Sequence, residues 1–322
     1  MKDVVFRQGI LDPRGSRHVQ QKHAERGRMS LDTLPSWSTT GIGSLPFIDP
    51  HAAAIHATAS YEIPFRPQLP RLEGEMVSEW LGGEAEWGRW TPERKTQHPK
   101  AWASFLDEME HRPPEHRWAK LQVTGPMTLA AAIDPDRPSL QLMNDLAEWL
   151  AQPMKKRVEA LADRQINALL MIDEPTLDQF EGRSLGDLVE AWQPLVGTAS
   201  AWGLHLCCEV PWHTVLEARP DVLSFDLSVE VLDEEAVEAI DELVASGCRM
   251  AWGIIRPTSD EGVREGRERL DRALEKVPAA GPGSMITAAC GSGMVSPERE
   301  VGIAMSLRSI SHSLRNHAAP GY

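Results

Sequence analysis

The sequence predicts an α/β fold, a (β/α)8 TIM barrel built as a single domain behind an N-terminal extension. Three observations point there. Short apolar runs alternate with longer amphipathic stretches, eight such runs fall within ~285 residues, and no Pro/Gly/Ser-rich linker divides that span. A doubly wound open sheet would carry a glycine-rich phosphate loop after an early strand. Neither GxGxxG nor a Walker sequence occurs.

Residues 1–36 are polar, rich in Arg and His, and lack a sustained apolar period. They read as a mobile extension, with the barrel domain spanning 37–322. Strands are expected at 39–44, 61–65, 119–124, 168–173, 203–208, 222–227, 250–255 and 285–289. Between them, apolar residues at three- and four-residue spacing predict helices over 139–164, 183–202, 232–246, 260–276 and 297–315. Trp80, Trp149, Trp192 and Trp202 sit where such helices need bulk, which suits packing better than stacking on a ligand.

Composition narrows the function. With 42% hydrophobic and 25% charged residues, the chain has the make-up of a globular protein with a sizeable core. Its net charge is −14, although residues 1–30 hold seven basic and three acidic side chains. So acidic a body repels nucleic acid and anionic membranes. No stretch has the ~20 apolar residues of a membrane span and no signal segment opens the chain, so a cytoplasmic protein is expected. Four cysteines are too few for a disulfide scaffold, which turns attention to metal binding or reactivity.

In a barrel of this kind chemistry gathers at the C-terminal ends of the strands. Unusual residues fall there: Thr40–Pro46, Thr124-Gly125-Pro126, Asp173-Glu174-Pro175, His205-Leu206-Cys207-Cys208, Asp226 and Cys290-Gly291. His205 and Cys207, two apart on a strand, share its inward face. An imidazole and a thiolate side by side are natural zinc ligands, and Cys290 would complete an N/S set of three. Asp226 is the candidate for a fourth, displaceable position, with Glu209 behind it. An isolated HxC is also common by chance, and buried cysteines often serve as small hydrophobes. Cys208 should face the helical layer, and Cys248 lies at the opposite rim.

Two further sites carry open alternatives. Asp173-Glu174-Pro175 suits a helix N-cap, yet a carboxylate facing the barrel mouth could equally hold a substrate ammonium group. The Gly41–Ser44 segment, with Ile42 and Gly43, is either a turn or a set of backbone N–H groups for a substrate carboxylate. The hydrolase signatures GxSxG and HExxH are absent.

Taken in order, Thr40–Pro46 (TGIGSLP), Gly125-Pro126 with Thr128-Leu129, Ile172–Pro175 (IDEP), His205-x-Cys207, Asp221–Asp226 (DVLSFD) and Cys290-Gly291 resemble the catalytic C-terminal barrel of cobalamin-independent methionine synthase. More broadly the chain resembles the superfamily joining that enzyme to uroporphyrinogen decarboxylase and the corrinoid-dependent methyltransferases, over residues ~38–315. The resemblance implies a zinc-dependent methyltransferase acting on a thiol, homocysteine in that family, to give methionine. Its zinc ligands would be His205, Cys207, Cys290 and Asp226, where methionine synthase has Glu. Asp173 would hold the homocysteine amine, and Ile42, Gly43 and Ser44 the amino acid's carboxylate.

Three departures bear on the donor and acceptor. The family's full-length enzyme has a second, N-terminal barrel with no counterpart in this sequence. Its seventh-strand segment carries a His used as an acid, whereas the stretch here, Gly253-Ile-Ile-Arg256-Pro257-Thr258, has no His, and its acidic residue after the second strand could match Glu73 or Glu75. Single-barrel relatives take methyl groups from methylcobalamin or a corrinoid protein, which makes these the expected donors. The competing functions are a metal-free lyase like uroporphyrinogen decarboxylase and a non-catalytic barrel handling zinc or corrinoid. The first would need several arginines at the mouth, where Arg256 is joined only distantly by Arg66 and Arg71.

Overall fold

The computed structural model describes residues 31–318, apart from 97, 113–116, 181 and 260–261. Residues 1–30, most of the expected extension, lie outside the described residues. Seven parallel strands form one sheet: β1 (Ser38–Thr39), β2 (Trp118–Thr124), β3 (Asn167–Asp173), β4 (Ala201–Leu206), β5 (Val222–Asp226), β6 (Arg249–Ile255) and β7 (Met285–Ala288). They stand in the order β1-β7-β6-β5-β4-β3-β2, so every neighbour from β2 to β7 is also the next strand in sequence. The sheet curls as in a TIM-like fold, with helices on its outer face.

Seven of the eight expected strands are present. The run 61–65 is not a strand but a pair of single bridges, Phe65 with Lys120 and Ser44 with Gln68. Its chemistry explains this. Pro64 and Pro67 have no amide hydrogen, so a continuous ladder cannot form. The segment still bonds to both edges of the sheet. The Ile63 amide donates to the Thr39 carbonyl at 3.0 Å and the Gln68 amide to the Gly43 carbonyl at 2.8 Å, while the Arg66 amide donates to the Lys120 carbonyl at 2.9 Å. The first strand is also shorter than the expected 39–44. It stops before Gly43, which adopts φ +99° and would drive a side chain into the Gln68 amide, 2.6 Å from its Cβ.

The expected helices appear with ends moved by a few residues, at Leu140–Ala162, Leu185–Val196, Glu234–Ala245, Val263–Lys276 and Pro297–Ala318. The largest change is at 183–202, whose end becomes β4. Caps mark several starts: Ser139 accepts from the Leu142 amide, Ser184 from Asp187 and Asp233 from Ala236.

Alternation along each strand divides the core into two layers. Outward residues such as Leu121, Leu170, Leu204, Phe225 and Trp252 pack against the helices in one large cluster. Inward residues Trp118, Leu169, Met171, Ala201, Val222, Ala251 and Met285 pack together with Leu34 and Ile63 at the base of the sheet. Gly203 belongs to this interior: a Cβ there would lie 2.4 Å from the Val222 carbonyl oxygen and 2.6 Å from Met171 Sδ. Residues 31–36, assigned by sequence to the extension, are part of this base. Leu34 is buried, Thr33 accepts a 2.9 Å hydrogen bond from the Trp118 indole, and Asp32 ion-pairs with Arg249 at 3.1 Å.

Candidate functional site

Above the apolar base the inward positions turn polar. On β2 the sequence Trp118-Ala-Lys-Leu-Gln-Val-Thr124 alternates, so Lys120, Gln122 and Thr124 share the inner face while Ala119, Leu121 and Val123 face the helices. One residue of β3, Asp173, and one of β4, His205, stand in register beside each other. Together with the loops after β1, β4 and β7 they bound a cavity of about 190 Å³. Ile42, Ser44, Asp173, His205, Cys207 and Cys290 all line it.

The expected residue set is therefore largely brought together, with two exceptions, Gly43 and Asp226. Asp226 does not line the cavity. Its Oδ1 accepts from the Ser228 amide at 2.8 Å and hydroxyl at 2.6 Å, and its Oδ2 accepts from Arg256 at 2.7 Å. The expected fourth ligand is thus paired with Arg256 in this structure. Glu209 is exposed and also outside the cavity lining.

The Asp-Glu pair divides cleanly. Glu174 is buried and accepts from the Met127 amide at 3.1 Å, the Thr128 amide at 2.8 Å and the Thr128 hydroxyl at 2.7 Å. The Trp192 indole donates to it as well, at 3.0 Å, so Glu174 caps the helix Pro126–Ile133 from a neighbouring loop. Asp173, 5% exposed, faces the cavity and accepts a 2.6 Å hydrogen bond from the Gln122 amide. Burial raises its pKa, with the charges of His205 and Lys120 pulling the other way. Lys120, whose ammonium donates to Gln122, has its pKa lowered by burial and partly restored by Asp173. Lys120–Gln122–Asp173 is thus a continuous polar chain running from the barrel interior to the cavity.

β4 ends at Leu206, two residues earlier than expected, so Cys207 lies just beyond the strand and still lines the cavity. Its interaction with the Cys290 thiol lowers the Cys290 pKa and, with burial, raises that of Cys207. His205 also draws Cys290 down. The imidazole is oriented by Ser224, whose hydroxyl lies 3.0 Å from Nδ1, while the buried Nε2 has no hydrogen-bond partner. Cys208 turns away toward the Glu174 carbonyl, 3.7 Å from its sulfur, and Cys248 is buried just before β6.

No three His, Cys, Asp or Glu side chains among the described residues are assembled as a ready metal-binding group. The donor set nonetheless suits zinc. Two thiols lining the same cavity and an oriented imidazole whose outer nitrogen lacks a partner among the described residues are N and S ligands of the right kind and number.

The segment Ile42–Ser44 packs against the loop after β7. The Ser44 hydroxyl accepts from the Gly293 amide at 3.1 Å and its carbonyl from the Ser292 amide at 2.9 Å. Of the two competing acids after the second strand position, Glu75 lines the cavity, whereas Glu73 accepts from the Lys100 amide at 2.8 Å. Sequence reasoning missed Gln68, Glu79, Lys120 and Gln122. Glu79 is buried and accepts from Gln68 at 2.7 Å while pairing with Arg66 at 2.9 Å. The alternation over 118–124 was the available signal for Lys120 and Gln122; nothing local marks the other two.

Fold and site together define a TIM-like barrel with thiols, an imidazole and a carboxylate converging at the C-terminal ends of its strands. The chain is similar to a putative vitamin-B12-independent methionine synthase from Listeria monocytogenes, with 15% identity, a TM-score of 0.54, and 82% of this chain and 86% of that one covered. It is similar also to a methyltransferase from Methanosarcina mazei, with 13% identity, a TM-score of 0.54, and 86% and 94% covered. At such identities the likeness speaks for the fold. No protein-family model and no curated protein sequence matches the chain.

Proposed function

We propose that this protein is a methyltransferase of the methionine synthase-like superfamily, using zinc to methylate a small amino-acid thiol, with homocysteine the first choice. The carrying observation is that His205, Cys207, Cys290 and Asp173 line one cavity. Reading 61–68 as an irregular eighth strand, bonded to both sheet edges, makes the cavity the mouth of a closed barrel.

His205, Cys207 and Cys290 would hold the metal, leaving its fourth position to the substrate. A zinc ion there supplies deprotonation of a thiol that is otherwise mostly protonated at neutral pH. The protein's own residues do the rest. Asp173 takes the substrate ammonium group, with Gln122 fixing the carboxylate's orientation. Ile42 and Ser44 border the place for the substrate carboxylate, and the ~190 Å³ cavity suits an amino acid rather than a macrocycle. The donor is methylcobalamin or a methylated corrinoid protein approaching the open mouth. The reducing cytoplasm is the setting in which free thiols persist.

The arginines weigh against a uroporphyrinogen-decarboxylase-like lyase. Arg66 pairs with Glu79, Arg256 with Asp226, and Arg71 donates to the Val295 carbonyl, and none of the three lines the cavity. The deciding experiment assays homocysteine methylation with methylcobalamin, methyl-folate and methylated corrinoid protein in parallel, alongside elemental analysis of chelator-free protein. About one zinc per chain and turnover with one donor is the expected result. Absence of metal would sink the reading. In Cys207→Ser or Cys290→Ser most of the zinc should be lost while the circular dichroism spectrum is retained; full zinc in both variants would remove these residues from the ligand set.

A further inference from the structure

We propose that a groove on the flank of the barrel binds a small polyanion, a molecule carrying clustered phosphate or carboxylate groups. The groove lies between residues 92–102 and the helix Leu140–Ala162, encloses about 590 Å³ and shares no residue with the thiol cavity. Its size is that of small-molecule sites. Arg94, Lys95, His98, Lys156 and Arg157 line it, and Glu93 is the one carboxylate among its described lining residues. In a chain of net charge −14 this is a concentrated reversal of sign.

Arg157 is what distinguishes the groove from a solvated basic face. The residue is only 6% exposed, yet among the described residues its guanidinium donates to no oxygen acceptor. Nη1 approaches the Met154 sulfur at 3.9 Å, and the group lies over the Trp80 ring at 5.4 Å. Two carboxylates are near enough for their charge to reach it, Glu73 and Glu79, but neither forms an ion pair with it. Glu79 is held by Arg66 and Gln68, and Glu73 accepts from the Lys100 amide with one oxygen. A guanidinium in so buried a residue keeps little hydration, and among the described residues no protein oxygen bonds to it. An anion seated in the groove would supply the missing acceptors in the planar, forked geometry that arginine favours.

The rest of the lining fits that occupant. Lys95 and Lys156 are exposed, carry no ion-pair partner among the described residues and add charge from opposite walls. Trp149, whose indole donates to the Arg94 carbonyl at 2.6 Å, ties the two walls together. Arg94 is partly satisfied already, through Glu86 at 2.6 Å, so the binding load falls on Lys95, Lys156 and Arg157.

The test is calorimetric titration of the full chain at low salt with tripolyphosphate and with citrate, using acetate as the monovalent control. We expect at least one polyanion to bind with a Kd well below about 1 mM, weakening as salt is added. Tighter tripolyphosphate assigns a phosphate ligand; tighter citrate assigns a polycarboxylate. Lys95→Glu combined with Lys156→Glu, both on exposed side chains, should weaken binding at least about tenfold, as should Arg157→Met in protein that retains its fold. Binding no tighter than acetate, or equal binding by the charge-reversed variant, would overturn the proposal. Because the lysine variant does not touch the buried arginine, the outcome stands even if Arg157→Met fails to fold.

Discussion

Two adjacent acids on β3 and its following loop show how far burial and partners decide a residue's role. Glu174 satisfies the first amides of the helix Pro126–Ile133 and receives the Trp192 indole, so its charge is used up in holding the loop. The Asp173 side chain has one hydrogen bond among the described residues, from Gln122, and faces the cavity. Asp173→Asn preserves size and removes charge. A charge-assisted hydrogen bond lost from a partly desolvated site costs about 1.5–3 kcal/mol, or roughly ten- to a hundredfold. That loss should appear in kcat/KM for homocysteine and be much smaller for a thiol lacking an amine, with zinc content unchanged. Equal activity on both thiols would reduce Asp173 to a structural acceptor; loss of zinc would mean that the ligand set includes it.

At the scale of the element, the base of the sheet depends on a segment that composition assigns to the extension. Leu34 joins Ile63, Trp118 and Met285 beneath the strands, and Asp32 and Thr33 bond to Arg249 and Trp118. Deletion of residues 1–30, which are polar and opposite in charge to the body, should leave the melting temperature unchanged. Deletion through residue 36 should lower it clearly, and Leu34→Ala alone should cost about 2–5 kcal/mol, the range for emptying a buried leucine position. Thermal denaturation of the three variants checks this. If the longer deletion melts with the full chain, the floor is closed without it.

For the whole molecule, the proposed zinc site would link metal binding to folding. Three proposed ligands come from β4, its following loop and the loop after β7, segments far apart in sequence but gathered by the sheet. An ion bound only by the folded state stabilises it by mass action. Chelation should therefore lower the melting temperature of wild-type protein and leave Cys207→Ser nearly unaffected. A chelator effect equal in both would place the responsible metal elsewhere. Among the described residues no helix is long and apolar enough to cross a membrane.

Much of this protein was determined by local sequence. The alternation of apolar runs with amphipathic stretches specified seven strands and five of the helices, most to within a few residues, because inward and outward periodicity is a property of short segments. His205, Cys207, Asp173 and Cys290 were legible because each sits at a strand end, where a parallel barrel exposes its chemistry. Tertiary structure decided what neighbours in space decide. Prolines 64 and 67 turned an apolar run into two bridges, yet its hydrogen bonds to both sheet edges could be seen only once Thr39 and Lys120 flanked it. Glu174 and Asp173 could be told apart only by which met the amides of a helix more than forty residues earlier. That Asp226 pairs with Arg256, thirty residues on, was likewise decided by the fold. Periodicity fixes which face of an element a side chain occupies, whereas its charge state and free valences depend on partners that only the folded chain brings within hydrogen-bonding distance.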